Sequence, residues 1–94
     1  MSRFKPQVTY VTKDSLREYH NAGYWVRPRP RMYIVKQYPT YAALKKDLKE
    51  ICESNIDDDG AHVVRSRKGQ WGEWNETWKL DNNRNPTIVS ETWS

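Results

Sequence analysis

The chain has one cysteine among its 94 residues, Cys52, so it cannot form an intramolecular disulfide. Two histidines, His20 and His62, are too few to build the Cys/His spacing of a zinc site. Four glycines form no phosphate-cradling loop and no nucleophile elbow. No apolar run approaches membrane-spanning length, and none near the first residue resembles a secretory signal. A cytoplasmic protein without a membrane partner is therefore expected. The Asn75-Glu-Thr77 glycosylation sequon is then idle.

Aliphatic content is low as well. Hydrophobic residues make up 36% of the chain and charged ones 30%. Such polarity would suit a disordered chain, but the 13% aromatic fraction argues against that, because disordered chains are poor in aromatics. Six tyrosines and five tryptophans supply large apolar area per residue. One small domain over 1–94 with one modest core is expected, preceded by a flexible tail at 1–6 that Phe4 pins.

The net charge of +4 is unevenly spread. Residues 1–36 hold eight Lys/Arg against two Asp/Glu, a net of +6. Residues 37–61 hold three against six, and residues 62–94 hold five against four. A basic N-terminal third fits nucleic acid or an acidic protein surface.

Gln7 to Thr12 alternates β-branched and aromatic residues and reads as a strand. Asp14 or Ser15 would cap a short helix near 14–21 that Gly23 ends. Arg27-Pro-Arg-Pro-Arg31 is stiff and extended, because two prolines a residue apart fit neither a helix interior nor a central strand. Met32 to Tyr38 reads as the next strand. Thr40 caps the principal helix, about 41–54, where Tyr41, Leu44, Leu48, Ile51 and Cys52 recur at helical spacing. Three aspartates, Asp57 to Asp59, fall in the following loop. Ala61 to Arg67, Trp71 to Leu80 and Thr87 to Trp93 close the chain as strands. The turn residues Asp81 to Pro86 separate the last two. The fold class expected is α+β, an antiparallel sheet of four or five strands packed by one principal helix. The helix should rest on Val8 or Tyr10, Ile34, Val63 or Val64, and Ile88.

The stretch from Arg65 to Leu80 is the densest in aromatic surface. Trp71, Trp74 and Trp78 recur at spacings of three and four, yet Gly69 and Gly72 oppose a helix there. A strand bulged at Gly72 would bring Trp71 to the face of Trp74 and Trp78. On that strand Trp74, Glu76, Trp78 and Leu80 share one face. The rings serve first as core, and a ring left exposed beside Arg65, Arg67 and Lys68 would stack a base or anchor a protein.

Catalytic chemistry has few candidates. Cys52 belongs to the buried helix face and is an inert thiol there. Asn55, Asp57, Asp59 and Gly60 match the first positions of a calcium loop, but Ser66 stands where the bidentate glutamate is required. No catalytic residue, metal or cofactor is expected. The expectation is a non-catalytic module contacting nucleic acid through Arg27, Arg29, Arg31, Arg65, Arg67 and Lys68, with Trp71 or Trp25 as stacking platform. The alternative is a regulator or inhibitor of the kind that phage and mobile elements carry, which works by binding a host protein.

Overall fold

The structure is a computed structural model that describes residues 4–22, 32–68 and 72–93. Five strands and two helices follow in the order β1 (Gln7–Tyr10), α1 (Lys13–Ala22), β2 (Ile34–Gln37), α2 (Tyr41–Ser54), β3 (Ala61–Arg67), β4 (Glu73–Leu80) and β5 (Pro86–Trp93). The strands form one sheet in the order β2-β1-β3-β4-β5, and every neighbouring pair is antiparallel. The α+β class, the strand number and the principal helix are those expected from the sequence. Among the described residues no helix is long and apolar enough to cross a membrane.

β2 and β3 lie on either side of β1, so the chain crosses over β1 between them, and α2 makes that crossing. One helix face therefore meets the sheet. Leu44, Leu48, Ile51 and Cys52 are buried on it, with Leu48 only 1% exposed. They pack on Val8, Tyr10, Ala61, Val63 and Trp78, with Ile34, Tyr38, Tyr41 and Leu80 at the margins. Ile88 does not join this core. It stands on the outer strand β5 and is exposed. Val64 points to the opposite face of the sheet from Val63 and is still buried there.

The helices begin on side-chain caps. Thr40 Oγ1 accepts from Ala43 N at 3.1 Å, as its place before the apolar periodicity predicts. For α1 the cap is Thr12, not Asp14 or Ser15. Thr12 Oγ1 accepts from Ser15 N, and Ser15 Oγ accepts from Thr12 N, a reciprocal pair that satisfies two orphan donors. Asp14 falls inside the first turn, where its charge suits the dipole.

Both N-terminal strands are shorter than their β-propensity suggests. β1 ends at Tyr10 because the Val11 backbone is engaged elsewhere. Its N–H donates to Asn55 Oδ1 and its carbonyl accepts from Ile56 N. Among the described residues β2 pairs only with β1 and is limited to the same four residues. Pro6 is buried and its carbonyl accepts from Tyr38 N, while Phe4 is half-buried beneath the Arg67 guanidinium.

The loop after α2 is closed by its own side chains. Asn55 Oδ1 accepts from Asp57 N, Asp57 Oδ1 accepts from Asp59 N, and Gly60 N donates to Asp57 O. Gly60 has φ +103, and a Cβ there would lie 2.8 Å from the carbonyl oxygen of Trp78. That oxygen belongs to the sheet and cannot retreat. Gly60→Ala is therefore expected to cost about 2–4 kcal/mol, from left-handed strain plus overpacking. A urea midpoint unchanged from wild type would contradict this account of the corner.

Candidate functional site

On the face of β4 that meets α2, Trp74, Glu76 and Trp78 stand at alternate positions. The middle one is a carboxylate, and it is 1% exposed. A lone ionised carboxylate buried this deeply costs several kcal/mol. Three hydrogen-bond donors and one guanidinium ion pair offset that cost. Tyr41 Oη donates to Glu76 Oε1 at 2.6 Å, and Trp78 Nε1 donates to the same oxygen at 3.0 Å. Trp74 Nε1 donates to Oε2 at 3.2 Å, and the Arg65 guanidinium stands 3.7 Å from that oxygen. Hydrogen bonds to a charged acceptor are stronger than neutral ones, which lets the burial be sustained.

Arg65 also lies flat over the Tyr41 ring, 4.2 Å from its centroid. A register shift between Val64 and Ser66 accompanies this placement and puts a bulge on β3, while the bulge expected at Gly72 turns on Trp71, which lies outside the described residues. β4 itself is regular, so Trp74 and Trp78, four residues apart, share a face as strand alternation expects. Burial, followed by the bond to Glu76, pushes the Tyr41 hydroxyl well above its ordinary value of 10.0. Tyr38 is pushed up to about 12 by burial and by its bond to Asp47.

Above this network lies an aromatic surface. Trp78 is core, Trp74 is half-buried, and Trp93 is 49% exposed. Trp74 and Trp93 are partners across β4 and β5, with ring centroids 6.1 Å apart and planes tilted by 48°. Arg65 completes the patch with half of its side chain exposed.

The residues expected to carry function fall unevenly around it. Arg65, Arg67 and Lys68 follow one another on and just past the end of β3. Arg67 reaches Glu73 across the hairpin at 2.6 Å and lies over Phe4. Lys68 is exposed, and its N–H donates to Gly72 O to close the hairpin. Trp25, Arg27, Arg29, Arg31 and Trp71 lie outside the described residues.

Sequence reasoning missed Glu76 and Trp93 as members of a site. A signal for the first was present. An acid between two tryptophans at strand alternation must share their face, and that face is the buried one. Trp93 carried no such signal, since counting outward from the turn at Asp81 to Pro86 sets Thr92 opposite Trp74, and only the extra residue at Val89 moves Trp93 into that place.

Cys52 is buried, which pushes its thiol pKa up, and the His20 ring lies edge-on against Tyr19. Among the described residues no group of three or more His, Cys, Asp or Glu side chains is placed to hold a metal. Neither a protein family model, nor a curated protein, nor a solved structure matches the chain.

Replacing Glu76 tests the network. Glu76→Gln keeps the shape but turns an amide NH2 toward indole and guanidinium donors. It is expected to cost about 3 kcal/mol in urea denaturation, through unsatisfied buried donors and an unpaired Arg65. A loss below about 0.5 kcal/mol, the level of an ordinary surface change, would show the carboxylate to be dispensable.

Proposed function

We propose that this chain is a non-catalytic binding module whose partner is a protein, held at the Trp74–Trp93–Arg65 surface. The observation that carries the reading is Trp93. A tryptophan left half-exposed costs apolar burial that a small core can hardly spare, and here it leans on a second ring held in place from below. Tryptophan, tyrosine and arginine on a rigid support are the composition of protein-binding hot spots.

The alternative partner is nucleic acid. Local charge favours the protein. Around the patch stand four cations, Arg65, Arg67, Lys68 and Lys45, whose Nζ lies 5.6 Å from the Tyr41 ring centroid, and three carboxylates, Glu73, Glu76 and Glu91. Two of the cations already face carboxylates. Phosphate binding draws its affinity from uncompensated cations, and among the described residues this patch has a surplus of only one. The surplus in the sequence lies in the N-terminal third, which is what supports the nucleic-acid reading.

A tagged chain should capture a protein from lysate that survives nuclease treatment. Trp93→Ala should lose that band while keeping the wild-type circular dichroism, because the ring lies outside the core. Loss of every captured species on nuclease treatment, or capture unaffected by Trp93→Ala, would contradict the reading.

A further inference from the structure

β5 is the outer strand of the sheet, and among the described residues no strand pairs with its far side. Seven of its eight residues are exposed. A free strand edge presents alternate N–H and C=O groups to any extended chain that reaches it, and proteins commonly blunt such edges with lysine, proline or a bulge. β5 has a proline at its first position, and a register shift leaves Val89 unpaired. Beyond that point, Ser90 to Trp93 pairs regularly with Thr77 to Trp74 and carries neither device.

The only charged residue on β5 is Glu91. It is exposed and has no ion pair or side-chain hydrogen bond among the described residues. It lies directly across from buried Glu76 and two residues from Trp93, so all three belong to one face. An unpaired carboxylate beside an exposed indole is suited to a lysine or arginine side chain. The aliphatic stem lies along the ring and the cation meets the carboxylate. A free backbone edge running past both groups suits an extended chain that adds a strand.

We propose that the partner docks as an extended segment added to β5 along Ser90–Trp93 and presents a lysine or arginine to Glu91. The proposal rests on the protein-binding reading of the Trp74–Trp93 surface and names the chemistry of its partner. The added strand takes its affinity from main-chain hydrogen bonds and its specificity from the Glu91–Trp93 pair. Charge complementarity decides the sign, because a segment with an acid at that position would meet Glu91 directly and buried Glu76 behind it.

A random 12-residue peptide library displayed on phage, selected in parallel on wild type, Glu91→Lys and Trp93→Ala, tests this. Wild type should enrich peptides with a lysine or arginine among alternating β-branched or aromatic residues. The best of these should bind Glu91→Lys about tenfold or more weakly by calorimetry. In wild type its backbone-amide shift changes should map to 90–93. Glu91→Lys should enrich acidic peptides in their place, and Trp93→Ala should enrich neither set. Peptides that bind wild type and Glu91→Lys equally but fail on Trp93→Ala would overturn this proposal and leave the binding surface standing. Enrichment on none of the three would overturn both.

Discussion

Everything on one side of this molecule depends on a single buried carboxylate. Glu76 occupies the strand face that should hold a β-branched residue, directly across from Val63. The desolvation cost is met only because three hydrogen-bond donors and a guanidinium, from three elements, converge on it. Tyr41 opens α2, Arg65 comes from β3, and Trp74 and Trp78 flank it on β4. A half-satisfied version would be worse than an apolar core, so the donors are required together. The network therefore works as a registration device. It fixes where α2 begins over the sheet, how the β3–β4 hairpin pairs, and which way two indoles face.

That registration explains how a weakly aliphatic chain presents an ordered aromatic surface. Trp74 cannot rotate away without breaking its bond to Glu76, and Trp93 rests on Trp74. Arg65 is held between the Tyr41 ring and the carboxylate, so its exposed half is presented at a fixed angle. Side chains that are already ordered lose little entropy on meeting a partner. The same carboxylate that holds the core together thus prepares the surface above it.

Much of the fold was legible because it rests on local rules. The α2 boundaries follow from Thr40 and the spacing of Leu44, Leu48, Ile51 and Cys52. The last three strands follow from turn residues at Asp57 to Gly60 and Asp81 to Pro86. Shortfalls arose where a long-range partner overrode local preference. Val11 reads as strand, but Asn55 and Ile56 claim its backbone. Ile88 reads as core, but an outer strand leaves it uncovered. The site was harder to see, because charge looks like surface in a sequence. Glu76 was visible as a neighbour of Trp74 and Trp78, but its burial depends on Tyr41 arriving from 35 residues away. Trp93 was counted simply as part of a strand until the hairpin register placed it against Trp74.

The claim that this carboxylate organises the molecule is tested most directly by the indole protons. Solvent exchange of tryptophan Nε1–H groups, followed by NMR and assigned with single Trp→Phe variants, reads the network without altering Glu76. Trp74 and Trp78 donate to the carboxylate from buried or half-buried positions, so their indole protons should exchange far more slowly than that of Trp93. If the protons of Trp74 and Trp78 exchange as fast as that of Trp93, the carboxylate does not hold them, and the account of both core and surface fails.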